Sequence, residues 1–123
     1  MGMKYITIAF QVIVGLSILN VWLVQYNKTT QWRGGNATTI KEEFEVYGLP
    51  DWSLYAIGFL KVVLALALIA AIWFPSFLKP AAIGLAALLT GSVLMHLKIK
   101  DPLIKSLPAF IFILMCLFLI VSP

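Results

Sequence analysis

The sequence predicts an all-α membrane protein: a transmembrane antiparallel four-helix bundle with a short amphipathic interfacial helix between spans 1 and 2. Three observations predict it. Apolar residues make up 62% of the 123, against roughly 45–50% in soluble domains, and charged residues only 11%, against about 25%. The mean hydropathy of +1.00 agrees. The apolar residues gather into four long stretches, and the few charges lie between them. A soluble domain this small has too much surface to cover with so few charges. An ordinary soluble enzyme, a disordered chain and a disulfide scaffold are excluded, and 1–123 reads as one membrane domain.

The spans are expected at about 6–24, 54–73, 81–97 and 102–121; about 20 apolar residues cross a bilayer, with 17 or so as the lower limit. Lys4 before the first run resembles a signal peptide, but the run is too long and no A-x-A site follows. The fourth run is short from Leu107 to Val121. Asp101-Pro102 offers it an N-cap and a proline at the first helical position, which places Pro108 inside the helix as a kink. Pro75–Pro80 reads as a tight turn.

The 25–53 connection is long and charged. Thr39-Ile40-Lys41-Glu42 fits a capping box, and Ile40, Phe44 and Tyr47 follow on one helical face. Gly48 and Pro50 end the element. Glu42, Glu43 and Glu45 are expected to face water or a protein partner. Trp32, Trp52, Tyr55 and Trp73 fall where an interfacial aromatic belt would lie. Asn27-Lys28-Thr29 and Asn36-Ala37-Thr38 are glycosylation sequons of a kind common by chance.

The net charge of +4 belongs to this class rather than to nucleic-acid binding, because the basic residues flank apolar runs. Lys28, Arg33, Lys41, Lys98, Lys100 and Lys105 lie on one side against Lys4 and Lys79 on the other. This asymmetry places the charged loops in the cytoplasm and both termini outside, in a bacterial inner membrane. Cys116 is the only cysteine, so no dithiol centre exists within the chain.

Ionisable residues inside a span are functional candidates. Of the fourteen charges only Lys61 lies within an apolar stretch. Gly58 and Ala65 share its face, so it points into the bundle, either as a structural lysine bonded to backbone carbonyls or Asn20, or as a ligand-binding group. His96 ends span 3 with Ser92 one turn before it. It reads as an interfacial histidine or as a proton-handling or ligand-binding group, imidazole being the side chain that titrates near neutral pH. Ser17, Asn20 and Gln11 suit helix-to-helix hydrogen bonds, and Ala87 and Gly91 close helix packing. Asn20, Lys61, Ser92 and His96 share the half of the bilayer nearer the charged loops, which Arg33, Glu42, Glu43 and Asp101 flank. That polar half is either a cavity for an amphiphile, a lipid or a quinone, or a latch that orients the loop.

No metal-ligand cluster, phosphate-binding glycine pattern or nucleophile elbow is present. No catalytic residue, metal or obligatory cofactor is therefore assigned.

Trp32-Arg33-Gly34-Gly35-Asn36-Ala37, Glu42-Glu43-Phe44 and Tyr47-Gly48-Leu49-Pro50-Asp51-Trp52 resemble the DoxX-like family of small four-span membrane proteins. The resemblance continues through Ile57-Gly58-Phe59-Leu60-Lys61, Pro75, His96, Asp101-Pro102 and Pro108-Ala109. In many relatives the position of Lys61 is acidic. The resemblance implies a four-helix membrane bundle but no single activity. Relatives include a subunit of a thiosulfate:quinone oxidoreductase, membrane partners of redox enzymes, a maturation factor and assembly chaperones.

Three readings follow. The first is a non-catalytic membrane partner or assembly factor, serving a redox enzyme through Glu42, Glu43 and Glu45. The second is a quinone- or lipid-binding membrane subunit of an oxidoreductase using Lys61, Asn20, His96, Ser92 and Arg33. The third is a small transporter subunit, which would act as an oligomer.

Overall fold

The computed structural model describes residues 2–24, 26 and 33–122. The sequon at Asn27 and the belt position Trp32 lie outside the described residues. Among the described residues the chain is helical and has no strand. Helix α1 (Gly2–Leu19) continues through a π-helical segment, Asn20–Val24. A short helix α2 (Ile40–Tyr47) precedes α3 (Asp51–Ala70), and a 3-10 turn at Pro75–Phe77 leads into α4 (Leu78–Lys98). A second 3-10 turn, Leu103–Ser106, leads into α5 (Leu107–Val121). Four of these helical stretches, Lys4–Val24, Asp51–Ala70, Pro75–Lys98 and Leu103–Val121, are long and apolar enough to cross a membrane.

The four long helices share one core. Val14 and Ile18 of α1, Ala65 and Leu68 of α3, Leu85 and Leu89 of α4, and Cys116 and Leu119 of α5 are buried together. The outer faces are equally apolar, with Leu16, Phe59, Leu66, Ile83, Phe110 and Leu114 exposed. An apolar exterior around a filled core suits hydrocarbon, where the helices satisfy their own backbone groups. Helix α1 packs on α3 and α5, and α4 on α3 and α5. Small residues set the α1–α3 spacing: a Cβ on Gly15 would stand 2.6 Å from Ile69 Cγ1 and 3.2 Å from the Ala65 carbonyl oxygen. Gln11 makes the helix-to-helix bond, donating from Nε2 to the Leu68 carbonyl at 3.0 Å.

Helix α2 forms for local reasons. The Thr39 hydroxyl accepts from the Glu42 N–H at 3.1 Å, as a capping box requires. The return bond is displaced by one residue, because the Glu42 carboxylate takes the Thr38 N–H and hydroxyl at 2.7 and 2.6 Å. These bonds hold the exposed Glu42 carboxyl below its ordinary value. At the far end Gly48 takes a left-handed φ of 78°. The Gly48 and Leu49 N–H groups donate to the Glu45 and Phe44 carbonyls, closing a Schellman motif. Ile40, Phe44 and Tyr47 are the buried face, against Leu54, Ile57 and Trp22.

Three expectations change. The connection between α3 and α4 ends at Phe77, so Leu78–Pro80 lie in the first turn of α4 and not in the expected Pro75–Pro80 turn. Asp101 does not cap the fourth long helix; Pro102 is extended and the 3-10 turn intervenes. Pro108 does not kink a helix interior, because it lies in the first turn of α5, where its missing N–H removes no intrahelical bond.

Candidate functional site

Two cavities lie at the end of the helices that carries the long loop. The larger, about 480 Å³, is bounded by α1, α4, α5 and Arg33. The smaller, about 280 Å³, is bounded by α2, α3 and α4. They share a wall of Val21, Trp22, Arg33, Glu43, Lys61 and Ser92. All five residues singled out as ligand candidates, Asn20, Arg33, Lys61, Ser92 and His96, line the larger cavity.

Lys61 is 8% exposed. It reaches neither Asn20 nor a backbone carbonyl, the two structural partners expected for it. Its Nζ donates to Ser92 Oγ at 3.0 Å and stands 5.6 Å from the centre of the Trp22 ring, within cation–π range. Gly58 makes room for that ring, since a Cβ there would meet Trp22 carbons at 2.7 and 2.9 Å. The π-helical turn presents three consecutive residues, Asn20, Val21 and Trp22, to the cavity; π segments often occur at functional sites. Ser17 also faces this space.

His96 is buried between two partners. Its Nδ1 lies 2.8 Å from Asp101 Oδ2, and its Nε2 lies 3.4 Å from the Tyr47 hydroxyl. Asp101 reaches it because α4 ends in a second Schellman motif: the Asp101 N–H donates to the His96 carbonyl and the Lys100 N–H to that of Leu97. Lys100 takes the left-handed position, φ 58°, which favours glycine. The same carboxylate accepts the Gly35 N–H at 3.1 and 3.2 Å and has Lys105 Nζ at 3.8 Å. Lys105 donates to the Gly35 carbonyl at 2.7 Å, and Lys98 to the Tyr47 carbonyl at 2.8 Å. The loop bearing Arg33 and α2 is thereby tied to the end of α4.

The three glutamates divide. Glu45 is exposed, and Glu42 is exposed but occupied by Thr38. Glu43 turns inward, away from the surface expected for it, and accepts the Gly34 N–H at 2.8 Å. Gly34 has no room for a side chain, because a Cβ would stand 2.6 Å from the Tyr47 ring. Arg33 is buried, and burial pulls its guanidinium below the ordinary value while the charges of Glu43 and Tyr47 oppose that.

Burial pushes the Tyr47 phenol well above its ordinary 10.0, and the charges of Glu43 and Asp101 and a hydrogen bond with Glu43 push it further; Arg33 opposes them. The folded protein therefore keeps a proton that the unfolded chain releases. The resulting stability is fully present below the phenol's ordinary 10.0 and is lost as pH rises above it. Thermal unfolding of wild type and Tyr47→Phe between about pH 8 and 11 should show the wild type losing more stability than the variant. Parallel curves would show that the phenol carries no such linkage.

A match to the DoxX-like family model covers residues 26–119, most of the chain and every element of this site except α1 and the π-helical segment Asn20–Val24. The chain belongs to the DoxX-like family. DoxX-like proteins are small membrane proteins, which agrees with the four apolar helices. No curated protein and no solved structure matches the chain.

The sequence does not single out two participants in this DoxX-like site, Trp22 and Tyr47, and does not give the role of a third, Asp101. Trp22 passed as one more apolar residue of the first span. Tyr47 was read only as part of an apolar face, although its hydroxyl was a signal that a polar partner waits beneath α2. Asp101 reads from sequence as a cap and as a flank of the polar half; its position five residues after His96, which fits a Schellman turn at a helix end, is the signal that brings it onto the imidazole.

Proposed function

We propose that this DoxX-like protein binds a membrane amphiphile, a quinone or a lipid, whose polar head enters the cavity at Lys61. The observation that carries this reading is the burial of that lysine. An ionisable group in the middle of an apolar helix is costly, and here it forms the wall between two cavities. Asn20, Ser92, His96 and Arg33 supply further polar groups, and apolar side chains supply the rest of the lining, as in small-molecule sites.

The reading takes the chain as an antiparallel four-helix bundle with α2 at the membrane interface. The tight turn between α3 and α4 and the apolar outer faces support that frame. The charged loops are placed in the cytoplasm and both termini outside, in a bacterial inner membrane; the lysine and arginine asymmetry supports this. Docking of a redox enzyme draws instead on the outward face of α2, where Lys41, Glu42 and Glu45 are exposed. Glu43 adds nothing to that face, so the cavity is the better supported site.

Native mass spectrometry of protein purified in mild detergent tests the proposal. A hydrophobic ligand should accompany the wild type, and Lys61→Leu should lower its occupancy about tenfold or more, the equivalent of one lost charge-assisted hydrogen bond. Unchanged occupancy in that variant would falsify the assignment of Lys61. Stoichiometric recovery of a protein partner, lost on neutralising Glu42 and Glu45, would favour the docking reading.

A further inference from the structure

We propose that the ligand is an anionic amphiphile, its carboxylate or phosphate head held at Lys61 and its apolar chain lying in the smaller cavity beside Gly91. This rests on the amphiphile-binding reading and adds the charge of the head and the path of the chain.

The head follows from charge counting. Arg33, Lys61 and Lys105 line the larger cavity and Glu43 is the one carboxylate that lines it. Asp101 stands behind that lining and accounts for Lys105 at 3.8 Å. Three cations against these two carboxylates leave one positive charge. Glu43 already accepts the Gly34 N–H, and its charge acts on Arg33. Lys61 makes no ion pair among the described residues and one hydrogen bond, to Ser92. An ammonium has three donors; one goes to Ser92 and the Trp22 ring face stands 5.6 Å away, so the charge lacks a carboxylate partner, which a neutral ligand would not supply. A buried cation is retained when it is paired, and an acidic head pairs it.

The chain path follows from shape. Beyond the Lys61–Ser92 bond the smaller cavity is lined by Ile40, Phe44, Leu49, Ile57, Leu88 and Met95. Gly91 also lines it, and a Cβ built there would meet nothing within 4 Å. A head at the shared wall therefore has an apolar space next to it.

The experiment uses delipidated full-length protein in a neutral detergent and native mass spectrometry with chain-matched probes. Oleate and oleoyl-lysophosphatidylglycerol carry the acid; oleyl alcohol and oleoyl-lysophosphatidylcholine do not; decylubiquinone is the neutral redox probe. The acidic probes should bind about tenfold or more tightly than their matched controls, and comparison of the two acids separates carboxylate from phosphate as the head. Lys61→Gln should abolish the preference and Lys61→Arg should keep it. Gly91→Leu, at a position with open space, should fold normally and weaken oleate while leaving the short-chain acid octanoate unaffected. Equal binding of acidic and neutral probes, or a preference that survives Lys61→Gln, overturns the proposal. Oleate binding unchanged by Gly91→Leu overturns the chain path. Binding of decylubiquinone alone overturns the anionic head but leaves amphiphile binding standing, whereas binding of no probe overturns both.

Discussion

Asp101→Ala is expected to detach the Arg33 loop from the end of α4 and to lower stability by about 2–5 kcal/mol. The side chain is 6% exposed and joins three parts of the protein: the Gly35 N–H, the His96 ring and the Lys105 ammonium. Truncation leaves a part-buried N–H and a buried imidazole without their acceptor, and each such orphan costs about 1–3 kcal/mol. The Gly35–Asp101 contact joins residues 66 apart, so its loss is felt by the loop and not only by the turn. Thermal unfolding measures the stability. Tryptic cleavage after Arg33, which is now 5% exposed, measures the release. Asp101→Asn retains one amide oxygen as acceptor and should fall between the two. Unaltered cleavage in Asp101→Ala would mean that the loop is held by other contacts, with the Lys98–Tyr47 and Glu43–Gly34 bonds first among them.

Gly15→Val is the second large effect, expected at about 1–3 kcal/mol. The Cβ alone would stand 2.6 and 2.8 Å from two Ile69 carbons and 3.2 Å from the Ala65 carbonyl oxygen. Ile69 can swing away in part, but the carbonyl belongs to the backbone of α3 and cannot. Two further methyl groups on a stiff, β-branched side chain then force α1 off α3. The strain falls on the Gln11–Leu68 bond one turn away and on the wall residues Ser17 to Trp22 one turn the other way. Denaturant unfolding in detergent should show Gly15→Ala intermediate between wild type and valine. Equal stability of all three would show that the α1–α3 approach is looser than the glycine implies.

The ligand candidates were legible because the cost of a polar group in an apolar run is local information. Lys61, Asn20, Ser92 and His96 stand out against their neighbours, and helix rise places them at similar depth. Their partners were not legible. Lys61 bonds Ser92 at a separation of 31 residues, and Tyr47 meets His96 at 49. Glu43 looks in sequence like its neighbours Glu42 and Glu45, and the fold turns it inward onto the Gly34 N–H and Tyr47. The α2 caps were readable in Thr39 and Gly48, while the α4 cap was hidden because a lysine, not a glycine, fills its left-handed position.

From the sequence alone came the class, the four apolar helices, the capped helix in the long loop and the family. Each depends on run length, composition or spacing within a few turns, and bilayer thickness and helix geometry convert these directly into structure. The tertiary structure decided which polar groups share a wall. Helical period assigns a residue to a face, but the rotation of one helix against another is set where side chains collide or fit, as at Gly15 with Ile69 and Gly58 with Trp22. Those contacts fix which side of each helix looks inward, and so determine that a lone lysine, bonded to Ser92 of α4, stands in the wall between two cavities.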